Sequence, residues 1–544
     1  MGFFKKILVL VHNFFFLMRS NKTNFQMRKI VTLIGIYFLV IACQKDEIDL
    51  SNVVLNKVSF EKSLNPSLSN DLILNFDGSS TFTGKIPFEV DIDRLVATYE
   101  YEGGSVEIGG VTQTSGVTSN NFGKEVVVSV YNENQSGSKD YKIRISYHTG
   151  LPIVYIDTNG QEVVSTDDYI TAEINVFGGL DLEDIETTNV NIRGRGNSTW
   201  WGGYFEMVKK PYQIRFDEKQ EVLGMPGDKR WVLLAEFFDK SLVRNKISYD
   251  MGLMSRFDYS PTGKFVEVIL NGDSQGTYLL AQKVEESNDR VNIGDDGFLI
   301  EMDQKLRTDP DDVYFEPPIF RNKMAQKYWW TDTVFNIKEP NIEYGSEELN
   351  YIENHINAFE SVLFGSNFSD PNNGYRSYID VDSFVDWYLI HEIGKSVDAY
   401  GFASVFFHHE PGGKIKMGPI WDFDLSYGNA DYANFSTPND AFSPEGNTIS
   451  GHPWFKRLLQ DTYFRDKVSE RYAYYYDNKD FILDKIDSYV DLIDDSQRQN
   501  YEIWQTLGFV DWNRFTVFET YEEEVNYLKT WLDTRMTWLK GHYN

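Results

Sequence analysis

Apolar and polar positions alternate with a period of two at several places along the chain, and each such run predicts a half-buried strand. Val126-Val127-Val128-Ser129-Val130-Tyr131 and Tyr141-Lys142-Ile143-Arg144-Ile145 flank a Gly/Ser/Asn-rich loop, which makes them a hairpin with a long turn. Short strands and Gly-rich turns run through 58–148 and predict a small β-sandwich, with 60–86 too irregular to divide into strands. Across 151–300 strands mix with helices. Residues 212–216 and 265–270 alternate, and 277–281 follows the second after an Asn271-Gly272 turn, giving another hairpin. Residues 239–254 read as a helix, with Leu242, Ile247 and Met251 on a rough stripe. Residues 303–335 are rich in Pro, Asp and Trp and read as an inserted loop carrying Tyr328, Trp329 and Trp330. From 346 onward the pattern is mainly helical. Asp382 is placed to cap a helix whose face carries Val385, Leu389 and Ile393, and a last helix over 521–539 sets Val525, Leu528, Leu532 and Leu539 on one stripe.

The N-terminus follows a different pattern. Met27-Arg28-Lys29 is basic, Ile30 to Ala42 is mostly apolar, and small Ala42 precedes Cys43. The arrangement resembles a bacterial lipoprotein signal peptide, in which Cys43 would be lipidated and begin the mature chain. The apolar stretch is short for a transmembrane helix. Gln44-Lys45-Asp46-Glu47 resembles the acidic surface-export tag of Bacteroidota lipoproteins. The implied address is the outer membrane, lipid-anchored and facing outward. A second basic-apolar run, Lys5 to Met18, fits either an upstream extension of a true start at Met27 or a long leader. The expected organisation is a leader over 1–42, a polar tether over 43–57, the sandwich over 58–148 and a larger domain over 149–544.

Charge sharpens this division. The 544 residues hold 52 Lys and Arg against 82 Asp and Glu, for a net charge of −30. Residues 1–42 carry +6 and no acid, so the remainder carries −36. Such an acidic chain is a poor nucleic-acid binder, because phosphate contacts need Lys and Arg. One cysteine allows neither an intramolecular disulfide nor a Cys-based zinc cluster.

Several short patterns carry candidate chemistry. Gly272-Asp273-Ser274-Gln275-Gly276 matches a nucleophile elbow in letters only, since a second strand follows where the elbow needs a helix. His408-His409-Glu410 precedes a Pro-Gly-Gly turn and reads as a solvated loop. Arg193-Gly194-Arg195-Gly196-Asn197-Ser198-Thr199 combines glycines that let backbone N–H groups approach an anion with arginines that neutralise it. Lys209-Lys210-Pro211 then starts a strand, and a lysine on the strand after a glycine loop is a protein-kinase arrangement. Asp422 and Asp424, in Gly418-Pro419-Ile420-Trp421-Asp422-Phe423-Asp424, are two carboxylates suited to Mg²⁺. Asp398 lies upstream, with a hairpin (404–407 and 414–417) between, which is the kinase order of base and metal acid. By spacing alone, structural pairing of Asp422 and Asp424 with arginines is an equal alternative.

Taken together, these segments resemble the CotH family of atypical, secreted or spore-coat protein kinases, over about 150–540. The resemblance implies a multidomain protein: a small all-β sandwich followed by an α+β atypical protein-kinase-like domain using ATP and Mg²⁺. It implies Asp398 as the catalytic base, and Asp422 with Asp424 as metal-binding acids. Lys210, with Lys209 competing, would hold nucleotide phosphates, assisted by Arg193 and Arg195. Gln282 and Lys283 would stand at a hinge facing adenine. Two readings follow: a kinase of Ser/Thr hydroxyls on proteins, or a non-catalytic lipoprotein that binds surface glycan or protein on the same fold.

Overall fold

The structure is a computed structural model. It describes residues 49–543 apart from 87–89, 124, 148, 179–181, 197, 202–207, 328–331, 402, 432–435, 440–448 and 515. The leader, Cys43, Asn197 and Tyr328-Trp329-Trp330 lie outside the described residues. The chain divides into two compact units between His148 and Thr149.

The first unit holds a three-stranded and a six-stranded sheet that share one core, beside the short pair Leu95–Val96 and Ser119–Asn120. In the smaller, Val54–Phe60 lies between Leu72–Ile73 and Thr98–Glu102. In the larger, the order is Asn75–Phe76, Thr81–Ile86, Ser138–Tyr147, Val126–Tyr131, Ser105–Ile108 and Val111–Thr112. The expected hairpin is present, with Val126 opposite Ile143 and Tyr131 opposite Ser138. The expected tether over 43–57 is corrected: Val54 to Lys57 already belong to a strand, and Leu55 and Val58 are buried in the core. A β-bulge between Leu55 and Lys57 lets two consecutive polar residues, Asn56 and Lys57, sit between the buried Leu55 and Val58.

The second unit begins with a closed seven-stranded barrel. Its order is Ile153–Asp157, Ile170–Phe177, Ile185–Gly194, Tyr212–Val222, Met225–Leu234, Asp273–Gln282 and Gly263–Leu270. A parallel pairing of the first strand with the last, Ile153 opposite Glu267, closes it. Ile174, Val176, Val190, Ile192, Ile214, Trp231, Leu233, Val266 and Val268 fill the interior, each two apart along its strand. The Gly263–Leu270 and Asp273–Gln282 hairpin turns on Asn271 (φ +53°) and Gly272 (φ +89°), the left-handed pair of a two-residue turn.

Next comes a five-stranded sheet in the order Tyr314–Phe315, Thr333–Glu339, Phe298–Gln304, Val405–His409 and Lys416–Met417. It shares its core with the outer side of the barrel hairpin (Phe265, Leu279, Ala281) and with the helices. The expected inserted loop over 303–335 is corrected. It contains the short strand Tyr314–Phe315, the helix Pro318–Lys327 and the start of a sheet strand, and Phe315, Phe320 and Met324 supply the apolar face that packs it. His408 and His409 are likewise strand residues and buried, not a solvated loop, because the sheet continues through them to Lys416–Met417.

Helices cover the sheet. In Val381–Gly394 the cap is Asp380, which accepts the Ser383 N–H at 2.8 Å, rather than Asp382 in the first turn. Asp386 on this helix is fully buried and accepts hydrogen bonds from Arg256 Nε (2.7 Å), Arg471 Nε (2.6 Å) and Tyr475 OH (2.9 Å). Such pairing offsets the desolvation cost of an ionised carboxylate. The final helix, Tyr521–Tyr543, buries Val525, Leu528, Leu532 and Leu539 as the stripe predicts. The helix expected over 239–254 is shorter, Arg244–Leu253. Asp239 instead organises the turn before it, accepting the Ser241 and Arg244 N–H groups at 2.9 and 2.8 Å and pairing with the Arg244 guanidinium.

Candidate active site

After Lys416–Met417 the chain turns through Gly418-Pro419 into the segment 420–424. Ile420, Trp421 and Phe423 are buried and anchor this turn, while Asp422 is exposed. Asp422 has φ +68°, a conformation that costs a non-glycine residue about 1 kcal/mol or more and persists only where its surroundings enforce it. The enforcement is visible. Phe423 N–H donates to Asn245 Oδ1 at 2.7 Å, and the Phe423 ring stacks on His391 at 4.6 Å. The Asp424 carbonyl accepts from Asn429 Nδ2 at 2.7 Å, and Ser404 Oγ donates to Asp422 Oδ2 at 3.1 Å. Asp398 opens a single helical turn just beyond the Val381–Gly394 helix.

Negative charge accumulates here. Burial, then the Asp422 carboxylate, pushes Asp398 up to about 6. Asp424 is raised well above the carboxylate range by burial and then by Asp422, Glu236, Asp398 and Asp239. Glu236 is buried at φ +50° and is pushed up to about 8 by burial and by Asp239. Among the described residues neither Asp422 nor Asp424 makes an ion pair with an arginine. Two cations oppose this charge: Arg307 acts on Asp398, and Arg195 interacts with Asp422. The Arg195 guanidinium lies 5.1 Å over the Trp421 ring; burial lowers its affinity for the proton and the Asp422 charge opposes that shift. The Tyr249 hydroxyl is buried without a hydrogen-bond partner among the described residues and lies in the field of Glu236, Arg195 and Asp422, with its ring stacked on Trp421 at 5.7 Å.

The structure therefore brings together Asp398, Asp422, Asp424 and Arg195. Lys283 is close enough to feel Arg195, and burial pulls its ammonium down to about 8, opposed by Glu285. The other candidate residues have defined neighbours. Lys209 is buried, donates to Thr277 O and to Asn500 Oδ1 (2.8 Å), and is pulled down to about 7 by burial, with Glu236 opposing. Lys210 Nζ lies 4.5 Å over Trp200. Arg193 donates to Asp167 O at 3.1 Å and stacks over Tyr169. Gln282 Oε1 accepts from Tyr259 OH and Thr262 N–H, both at 3.2 Å. Gly194 N–H is bonded to Ser165 O at 2.8 Å, and a Cβ there would fall 2.3 Å from Trp200 Cζ2, so this glycine seats an indole rather than an anion.

Five participants escape the sequence reading: Glu236, Asn245, Tyr249, Glu301 and Ser404. Glu301 and Asp303 alternate with Ile300 and Met302 on Phe298–Gln304, and that period-two acidic face is the one available signal. Both carboxyls are raised, foremost by burial, Asp303 to about 7, and Glu301 accepts the Ser404 N–H.

A divalent cation fits this donor set in one specific way. Among the described residues no three His, Cys, Asp or Glu side chains form a ready cage. Mg²⁺ commonly takes one or two carboxylates and completes its shell with phosphate oxygens and water. Asp422 and Asp424 offer those two carboxylates, and the crowded acids around Asp424 supply the charge a cation would relieve.

The sequence pattern of the family described as CotH kinase protein matches residues 192–539. The chain belongs to the CotH family. Inner spore coat protein H of Bacillus subtilis (strain 168) is 24% identical over 270 residues, 47% of this chain and 67% of that protein. A crystal structure from Bacteroides thetaiotaomicron, provisionally described as a glycoside hydrolase, aligns with 50% of this chain and 79% of its own at 11% identity; its TM-score of 0.16 carries no argument. The CotH region holds every candidate residue from Arg193 to Asp424. It starts inside Ile185–Gly194, so the strands Ile153–Asp157 and Ile170–Phe177, which the barrel needs for closure, precede it.

Proposed function

We propose that the CotH domain transfers the γ-phosphate of ATP to Ser/Thr hydroxyls of proteins, and that the chain is lipid-anchored at the outer face of the outer membrane through Cys43. The observation that carries the reading is the convergence of Asp398, Asp422 and Asp424, from separate segments, beside Arg195. Asp422 and Asp424 would hold Mg²⁺, which supplies charge neutralisation at the phosphates. Asp398 would accept the proton of the incoming hydroxyl. A carboxylate whose proton affinity sits near neutrality is matched to that work. Arg195 and Lys283 would balance phosphate charge, with Lys209, Lys210 and Arg193 the further cations of this side.

One observation favours a second reading, a non-catalytic lipoprotein that binds surface glycan or protein. Both candidate phosphate lysines are engaged, Lys209 with Thr277 and Asn500 and Lys210 with Trp200. Thermal unfolding separates the two, since a ligand that binds only the native state raises its stability by mass action. Millimolar ATP with Mg²⁺ is expected to raise Tm, and more than either alone. No shift with nucleotide, together with a shift on oligosaccharide, reverses the ranking.

The address has its own test. Cys43→Ser should move the protein from the membrane to the soluble fraction and abolish labelling by a fatty-acid analogue. Unchanged membrane retention would sink the anchor.

A further inference from the structure

Asn245 is the second residue of the Arg244–Leu253 helix, is 4% exposed, and faces two elements at once. Its Nδ2 donates to both Glu236 oxygens, each at 3.1 Å, and its Oδ1 accepts the Phe423 N–H at 2.7 Å. Phe423 is the residue between Asp422 and Asp424. The amide thus uses its donor side toward Glu236 and its acceptor side toward the turn, an assignment that the chemistry of both partners requires. The neighbouring contacts run the same way: Arg244 Nε donates to Ser426 O at 3.1 Å, and Asn429 Nδ2 donates to Phe238 O at 2.8 Å. Asn429 Nδ2 also holds the Asp424 carbonyl, and the Ser426 N–H holds the Phe423 carbonyl at 3.0 Å. Among the described residues, Asn245 is the side chain that holds the Phe423 N–H.

We propose that Asn245 is a positioning residue: bridged to Glu236, it holds the Phe423 N–H and so sets the left-handed Asp422 turn that aims the two acids. The inference rests on the reading of Asp422 and Asp424 as cation-holding acids. It goes beyond it by giving the Glu236–Asn245 pair the task of orienting them. Outer groups that orient metal ligands typically change metal affinity by about 10–100-fold when removed. The bridge also has a direction, which makes it testable by exchange of its two ends. Asn245→Asp keeps an acceptor for Phe423 but sets a second carboxylate against Glu236. Glu236→Gln keeps an acceptor for Asn245. The double variant Asn245→Asp/Glu236→Gln re-forms the bridge with donor and acceptor exchanged.

The test uses the full chain and two readouts: Mn²⁺ affinity from the free-ion EPR signal, and hydrogen exchange of a peptide spanning 421–425. Asn245→Asp is expected to weaken Mn²⁺ binding by about 10-fold or more and to speed exchange in that peptide, while Glu236→Gln changes affinity less than about threefold. The double variant is expected to recover most of both losses, a coupling that a merely destabilising substitution does not produce. Asn245→Ala, which tests the clamp if Asn245→Asp fails to fold, should match the single loss. Affinity and exchange that stay at wild-type values in folded Asn245→Asp or Asn245→Ala, or additive rather than compensating effects in the double variant, overturn the proposal. Wild-type protein that does not bind Mn²⁺ overturns the kinase reading instead, and the exchange data then judge the clamp alone.

Discussion

Asp422→Ala protein is expected to incorporate no labelled phosphate from ATP above background, a loss of about 10²–10³-fold or more. Phosphoryl transfer is mostly positioning and charge neutralisation, and removing one preorganised electrostatic group typically costs that much. The substitution is a clean test because the side chain contributes little to the fold. It is exposed, and its carboxylate accepts one hydrogen bond, from Ser404. Its removal also takes away a like charge that raises both Asp398 and Asp424. The variant should therefore fold normally, with a Tm at or above the wild type. Incorporation at the wild-type rate would show that Asp422 is not a metal-holding acid.

Asp398→Asn is expected to lower transfer by about 10²–10⁴-fold, the usual worth of a general base. Two pH signatures distinguish this from a loss of shape. A base must be deprotonated, so wild-type activity should climb as pH rises through about 6 and level off above it. Stability should run the opposite way. The folded state holds the Asp398 proton up to about 6, whereas the unfolded chain releases it near the ordinary aspartate value of 3.8. Between these values the native state binds more protons than the unfolded one, so stability falls as pH rises and the penalty is fully present above about 6. The Asn variant never ionises at this position. It should be more stable than wild type at pH 7–8, and the gain should fade as pH drops toward 4. A variant that loses activity and also loses stability at pH 7.5 would make Asp398 a structural residue.

The proposed cation site and the proposed adenine hinge differ in how firmly their surroundings prescribe them. Asp422, Asp424 and Asp398 are crowded with like charge and make no ion pair with an arginine among the described residues, although Arg307 opposes the upward shift of Asp398 and Arg195 feels Asp422. Gln282, by contrast, already has its carbonyl oxygen committed to Tyr259 and Thr262. The nucleotide's phosphates are thus the better-supported part of the proposed ligand, and the thermal titration with ATP and Mg²⁺ addresses that part first.

Much of the fold was legible because it depends on neighbours in sequence. The Asn271-Gly272 hairpin follows from two residues that tolerate a left-handed turn. The Val126–Tyr131 strand and the Tyr521–Tyr543 stripe follow from period and apolar spacing. The three aspartates stand out in the sequence by order and residue type, and the structure brings them together, while the roles given to them belong to the proposal. Elsewhere the local reading failed for identifiable reasons. Val54 to Lys57 escape a period-two reading because a β-bulge between Leu55 and Lys57 breaks the alternation, yet Leu55 and Val58 are buried in the sheet's core. His408 and His409 look solvated beside a Pro-Gly-Gly turn, yet the sheet they join buries both.

By itself, then, the sequence determined the strands and helices with strong period, the hairpins, the acidic net charge that disfavours nucleic acid, and the aspartates available for chemistry. Only the tertiary structure decided the closure of the barrel, because the parallel pairing of Ile153–Asp157 with Gly263–Leu270 joins segments that no local pattern links. Only it placed Glu236 and Asn245 against the Asp422 turn, 178 positions away along the chain for Asn245 and Phe423, where burial and a shared field change what each acid does. Backbone preference and periodicity act over a few residues, whereas burial, charge coupling and hydrogen-bond satisfaction depend on what the folded chain brings alongside.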